Sequence, residues 1–414
     1  MGLRALLPCV LLAACTAASE APSPASAPLP GAAGEWATGA TPRVSPATVG
    51  MNENLTSHLN QLLDSAVSAG ITPGAVLAVG RHANLIHLQS YGRVDPDTAS
   101  PAASPRTIYD LASLTKVVGT TTAAMILEEE KLLDIDRPIH EYLPELDSPE
   151  KASITSRMLL THEAGFEAFA ALYQDFRGRD QYLAQINARP LRWTPGTRTE
   201  YSDWDLILMQ LIVERLTGST LDQFLQERVF GPLGMVDTGF NPPAMKRDRI
   251  APTEIQEFRG GKIHGEVHDE NAWALGGVAG HAGLFSTAPD LAIFAQMMLN
   301  GGEIGGQRIL RAETVARWTS RQASGSTRAL GWDTPSPRGS AGRYFSARSF
   351  GHTGFTGTSI WMDPEKGLYV VLLTNRVNPT RENTGIGTVR SAIADAVQEA
   401  VIDAPLRGRE PTTD

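Results

Sequence analysis

The sequence predicts an α/β fold in which one antiparallel sheet is flanked by helices from the two chain ends, with a helical lobe inserted between its strands. Three observations carry this expectation. Strand patterns lie near both ends of the folded region while helix patterns fill its long middle. No internal repeat, charge block or second linker interrupts residues 51–402, so they read as one large domain of two lobes. No apolar run there reaches the roughly 18 residues that crossing a membrane requires.

In chain order, Leu55, Leu59, Leu62, Leu63, Ala66 and Val67 fall at helical spacing and stop at Gly70, giving the first helix. Ala75 to Val79 and Leu85 to Leu88, separated by a polar turn at Arg81 to Asn84, read as a hairpin. Helix patterns follow at Ser113 to Glu130, Ser153 to Leu160, Trp204 to Leu216, Leu221 to Val229 and Pro289 to Leu299. Thr358 to Met362 and Leu368 to Thr374 read as strands around the turn Asp363 to Gly367, and Gly387 to Val401 as the closing helix.

Ahead of the domain, Met1 to Cys15 combines a charge at Arg4, an apolar stretch from Ala5 to Leu12 and small residues at Ala13 and Ala14, the layout of a secretory signal over 1–14. Leu12-Ala13-Ala14-Cys15 resembles a bacterial lipoprotein box, which implies lipidation at Cys15, export and membrane contact only through that anchor on a periplasm-facing protein. Residues 15–50 are Ala, Pro, Ser, Thr and Gly with few large apolar side chains, the composition of a disordered tether. Residues 403–414 read as a tail.

Composition excludes several chemistries. The 414 residues are 42% hydrophobic and 20% charged, which suits a large core. With 36 basic residues against 45 acidic ones, a net charge of −9 and no basic run, nucleic acid is not an expected partner. The only two cysteines, Cys9 and Cys15, leave the domain without a disulfide, a thiolate metal site or a cysteine nucleophile.

Ser113-Leu114-Thr115-Lys116 opens a helix after an extended Thr107 to Leu111. A serine there lies near the unpaired N–H groups and positive dipole end, where a developing alkoxide is stabilised. A lysine three positions on lies roughly 4.5 Å further along the axis and about 60° round, so both side chains can enter one cleft. Alone the motif is weak, since about one match is expected by chance in a chain this long. Two further groups stand in order behind it. Tyr201-Ser202-Asp203 lies 88 residues beyond Ser113 and His352-Thr353-Gly354 lies 239 beyond.

This order resembles the serine β-lactamase and penicillin-binding protein superfamily, whose three motifs are S-x-x-K, then S-D-N or Y-x-N, then K-T-G. The similarity spans about residues 51–402 and extends to Ile154 to Gly165 (ITSRMLLTHEAG), Val278 to Asp290 (VAGHAGLFSTAPD) and Gly351 to Ile360 (GHTGFTGTSI). It is nearest to the class C-like branch, beside cell-wall amidases and type 4B penicillin-binding proteins. The resemblance implies a β-lactamase-like fold, Ser113 as acylated nucleophile, Lys116 as its electrostatic partner, Tyr201 as proton acceptor and His352-Thr353-Gly354 as the sheet-edge motif beside the substrate. It also implies an oxyanion hole from the N–H groups of Ser113 and Phe355, and no cofactor.

Two residues depart from the pattern. Asp203 replaces the usual asparagine and, beside Lys116, is expected to hold the ammonium charged and favour phenolate at Tyr201. His352 replaces the usual lysine and is expected to become a cation, and to bind a substrate carboxylate, only near or below a pKa of about 6.5. Both changes point to an amidase, peptidase or esterase rather than an efficient β-lactamase.

Other signals are weaker. His264 to Asp269 lacks the H-E-x-x-H order, because Gly265 follows the first histidine, so no metal is expected. Gly276 to Gly283 lacks the phosphate-loop spacing and reads as a tight cleft-lining turn, in which His281 either touches substrate or makes a structural hydrogen bond. Trp193, Trp204, Trp273 and Trp361 are core residues or line a pocket. The expected function is a serine hydrolase acting through an acyl-enzyme on amide or ester bonds of cell-wall peptide or muropeptide fragments. A carboxylesterase and a weak β-lactamase are the rival enzymes; a muropeptide or β-lactam sensor without turnover is the rival of another class.

Overall fold

The structure, a computed structural model, describes residues 1–2, 43–323, 325–337 and 339–408. The signal segment beyond residue 2, Cys15 and the tether as far as residue 42 lie outside the described residues.

Strands β1 (Gly74–Arg81) and β2 (Asn84–Gly92) from the front of the chain join β6 (Phe350–Thr353), β7 (Ser359–Asp363) and β8 (Leu368–Thr374) from its back. They form one antiparallel sheet in the order β6-β7-β8-β1-β2. Helices α1 (Leu55–Ser68) and α8 (Ile386–Glu399) cover one face, burying Leu55, Leu59, Ile393 and Val397 against Leu77, Val79, Val370 and Leu372. Helix α7 (Ala288–Leu299) covers the other, against Val76, Ala78, Val371 and Leu373. With both faces covered, the central strands read as continuous apolar runs rather than alternating ones.

The inserted lobe runs from β2 to β6 and carries α2 (Thr122–Glu129), α3 (Ser156–Leu160), α4 (Gly178–Ala188), α5 (Asp203–Thr217) and α6 (Leu221–Leu225). A small sheet of β3 (Tyr109–Asp110), β4 (Gly239–Phe240) and β5 (Leu284–Ser286), with β5 central, ties the segment before Ser113 to the segment after His281. The predicted fold class is therefore the observed one.

Details differ for physical reasons. The helix expected from Ser113 to Glu130 is broken in style, because Lys116–Thr121 forms a π-helical turn before α2 begins; such turns cluster at functional sites. Helix α3 starts at Ser156 rather than Ser153 because the Thr155 side chain caps it by accepting the Met158 N–H. Helix α4 has no counterpart in the sequence reading, since only Tyr182, Leu183 and Ile186 of its residues are buried. Residues 43–50, expected as the end of the tether, pack on the domain instead. The Val44 N–H donates to Leu85 O (3.1 Å), and Pro46 and Val49 are buried. At the far end Asp403, expected in the tail, pairs with Arg81 at 2.6 Å.

Candidate active site

Ser113 follows Ala112, whose φ of 46° lies in the left-handed region that non-glycine residues avoid. Neighbouring groups hold that conformation. Asp110 Oδ1 accepts the Ala112 N–H (2.8 Å), while the Thr356 and Thr358 hydroxyls donate to the carbonyls of Asp110 (2.7 Å) and Leu111 (2.9 Å). The nucleophile loop is thereby bolted to the turn after the third motif. Gly354 makes that approach possible: a Cβ there would sit 2.2 Å from Thr358 Oγ1 and 2.3 Å from Leu111 O. Arg390 closes the turn from below, donating to the carbonyls of Gly354 (2.7 Å) and Thr358 (2.8 Å). Among the described residues neither the Ser113 N–H nor the Phe355 N–H has an acceptor. The Phe355 side chain is exposed, so its backbone is what the loop fixes.

Lys116 is fully buried, and its Nζ donates to Ser113 Oγ (3.0 Å), Asp203 Oδ1 (2.7 Å) and His281 O (3.1 Å). Burial alone would lower its pKa, but the Asp203 carboxylate and then Tyr201 outweigh it and hold the amine above the ordinary lysine value. This favours the charged ammonium at neutral pH.

Tyr201 lies between these groups, with the Lys116 Nζ 4.8 Å and the Arg328 guanidinium 5.3 Å from its ring centroid. Burial raises its pKa, Asp203 adds to this, and the Lys116 cation only partly offsets it. The resting group is a neutral phenol, which corrects the expectation of a favoured phenolate.

His352 needs a larger correction. It is 2% exposed, and its Nδ1 donates to Thr353 O at 2.8 Å. Burial, helped by the Lys116 and Arg328 cations and opposed by Asp333, pushes its pKa down to about 4. The ring is therefore neutral from pH 5 to 8 and supplies no switchable cation. The cation on that side is Arg328, which the sequence reading missed because no motif surrounds it; it pairs with Asp333. Thr353, Arg328 and Asp333 line a polar cleft of about 820 Å³ that reaches Arg390 and Asp395 on α8.

The His281 side chain is buried and makes a structural hydrogen bond. It is 1% exposed with Nε2 on Asp269 Oδ1 (2.8 Å), and the residue's contribution to the site is the carbonyl that accepts Lys116. Asp203, Asp269 and His281 each bring one ligand atom within 4.8 Å of the others. The Lys116 ammonium already occupies Asp203, so a dication would have to displace a buried charge partner. The His264 to Asp269 segment is dispersed: His264 bonds the carbonyls of Arg247 and Ile250, and His268 bonds Glu254. Trp204 and Trp361 are core residues, whereas Trp193 is partly exposed.

Residues 59–394 match the family described as Beta-lactamase. The chain belongs to the beta-lactamase family. A relative from Escherichia coli (strain K12), named "Putative D-alanyl-D-alanine carboxypeptidase", is 35% identical over 372 residues, covering 80% of this chain and 85% of the relative. Among solved structures, a penicillin-binding protein homologue from Caulobacter crescentus superposes with a TM-score of 0.68 at 21% identity, covering 85% of this chain and 99% of that one. A class C beta-lactamase superposes with a TM-score of 0.68 at 17% identity, over 83% and 96% of the two chains. This family member is a serine hydrolase of the β-lactamase-related type.

Proposed function

We propose that the protein hydrolyses an amide bond in cell-wall peptides that end in a free carboxylate, through an acyl-enzyme on Ser113. The observation that carries this reading is the buried contact of Lys116 with Ser113 Oγ (3.0 Å) and Asp203 (2.7 Å), which supports Ser113 as a nucleophile beside a cation. The free N–H groups of Ser113 and Phe355 suit an oxyanion hole, where removal of one donor typically costs about 2.7–4 kcal/mol.

With Tyr201 a neutral phenol, proton movement is a relay. As Ser113 Oγ attacks the carbonyl carbon, its proton passes to Tyr201 Oη while the phenol's own proton passes in the same step to the substrate nitrogen, so the phenol stays neutral; the C–N bond then breaks and the amine leaves. Water then attacks the ester, gives one proton to Tyr201, and Tyr201 returns its own to Ser113 Oγ. Lys116 remains charged throughout and stabilises negative charge on the attacking oxygen. Arg328, on the leaving-group side, suits the substrate carboxylate by a charge-assisted hydrogen bond. The relative's printed name supports this substrate class. Export and lipid anchoring at Cys15 would bring the enzyme to the cell wall.

The test is labelling with a fluorophosphonate or a fluorescent penicillin, followed by mass spectrometry and by turnover of a peptide ending in D-alanyl-D-alanine. Label on Ser113 with release of D-alanine supports the reading. Turnover of aryl esters alone makes it a carboxylesterase, turnover of cephalosporins alone a β-lactamase, and a permanent label without turnover a sensor.

A further inference from the structure

His162 belongs to none of the three motifs, yet it brackets Tyr201. Its carbonyl accepts the Glu200 N–H at 2.8 Å, its Nδ1 accepts the Ser202 N–H at 3.3 Å, and its ring packs on the Tyr201 ring with centroids 4.6 Å apart. The residues on either side of Tyr201 are thus tied to one histidine that also touches its ring. His162 itself is held with φ at 58°, a left-handed conformation that histidine adopts more readily than most residues but that still needs support. Asp205, two residues into α5 from Asp203, supplies a second tie, with Oδ2 at 2.7 Å from His162 Nδ1. Both side chains of this pair are 1% exposed.

The contacts favour one proton arrangement, in which the single Nδ1 lone pair takes the 2.7 Å hydrogen bond from Asp205 as a carboxylic acid and is shared weakly with the Ser202 N–H at 3.3 Å. His162 then bears its hydrogen on Nε2. Burial favours this assignment in both partners, raising the Asp205 carboxyl well above its ordinary range, with Asp203 adding to the effect, and lowering the imidazole well below its own.

We propose that His162, with its tautomer fixed by Asp205, is the positioning residue that holds the Tyr201 hydroxyl in line for proton transfer at Ser113. This rests on the reading of Tyr201 as the proton relay. A side chain released by about 1 Å loses on the order of 10²-fold in rate, although it touches neither substrate nor nucleophile.

The experiment is a double-mutant cycle on the rate at which a fluorophosphonate labels Ser113, with circular dichroism and thermal midpoints to follow the fold. His162→Gln should lower the labelling rate by about 10²-fold. In a Tyr201→Phe background, where nothing remains to position, it should lower the rate by less than about threefold. Asp205→Asn, whose amide N–H replaces the acid O–H as donor to Nδ1, should recover most of the rate that Asp205→Leu loses, and substrate KM should stay nearly constant across the set. Equal losses from His162→Gln in both backgrounds would mean that the histidine only supports the fold, and the proposal would fall. A collapse of Asp205→Asn to the level of Asp205→Leu, with the fold intact, would overturn the assigned tautomer. If Tyr201→Phe itself labels at the parent rate, the relay reading fails, an outcome distinct from failure of the cycle.

Discussion

Asp203→Asn isolates the charge of the Lys116 partner while keeping its shape. In the parent, Lys116 lies fully buried 2.7 Å from Asp203, and its pKa is held above the lysine value of an unfolded chain. A raised pKa contributes stability that is fully present below the unfolded value of about 10.4 and is lost only as pH climbs through the folded value, so the parent contribution is constant between pH 7 and 9. In the variant the ammonium keeps the oxygens of Ser113, His281 and the new amide but loses the ionic attraction, and breaking a buried pair costs up to about 3–5 kcal/mol. The loss has a ceiling, because the lysine can deprotonate. Neutralising it costs about 4.6 kcal/mol at pH 7 but only about 1.9 kcal/mol at pH 9. The expected destabilisation is therefore roughly 3–5 kcal/mol at pH 7, and at pH 9, where the escape by deprotonation is about 2.7 kcal/mol cheaper, it is equal or smaller. Urea unfolding of parent and variant at both pH values measures it. A loss below about 1 kcal/mol at pH 7, or a loss larger at pH 9 than at pH 7, would refute the buried cation.

His352, with its folded pKa at about 4 against an unfolded value near 6.5, contributes stability that is present above pH 6.5 and is lost as pH falls toward 4. Replacement by glutamine should flatten that acid slope by roughly 3 kcal/mol over the window, read from unfolding curves at pH 4 to 7. Peptide KM should show no imidazole step from pH 5 to 8, whereas Arg328→Gln should raise KM about tenfold for the peptide acid and leave its methyl ester unchanged. Because Tyr201 rests as a phenol, kcat should be level from pH 6 to 8.5; a tenfold rise per pH unit would show that phenolate is the working form. Gly354→Ala, whose Cβ would lie 2.3 Å from Leu111 O, should part the third motif from the nucleophile loop and cut the acylation rate by about 10²-fold or more. If Cys15 carries a lipid, Cys15→Ser should move the protein from the membrane fraction to the soluble one, checked by fractionation and immunoblot.

What could be read from the sequence was whatever repeats locally or stands in a fixed order. The hairpin, the terminal helices and the back strands announced themselves through short-range periodicity, and the three motifs through their order along the chain. Long-range effects were hidden. Arg328 sits in an unremarkable polar stretch, and only the fold brings its guanidinium within 5.3 Å of the Tyr201 ring centroid. The His162 and Asp205 pair joins positions 43 residues apart through a contact that no spacing rule encodes. Residues 43–50 looked like tether because composition counts few large apolar residues there, yet Pro46 and Val49 suffice to dock a short segment. The charge of His352 was misjudged for a related reason: identity gives a reference pKa, whereas burial, known only from the fold, decides the shift.

These placements bear on how the site can work. A buried ammonium and a carboxylate at 2.7 Å sum to zero charge, so the pair adds no net charge to the resting site. The first uncompensated charge to arise is the oxyanion formed by attack at Ser113, and the groups free to meet it are N–H donors already fixed by the Asp110, Thr356 and Thr358 hydrogen bonds. A mobile proton is then needed only between Ser113 and the leaving nitrogen, which a neutral phenol can pass without ever carrying charge. Stabilisation thus falls on the transition state rather than on the bound substrate, which is where it raises kcat. It follows that substitutions in the loop-bolting threonines, such as Thr358→Val, should lower kcat on peptide with little change in KM. The reverse pattern would place their effect in substrate binding and leave the oxyanion donors without a supporting frame.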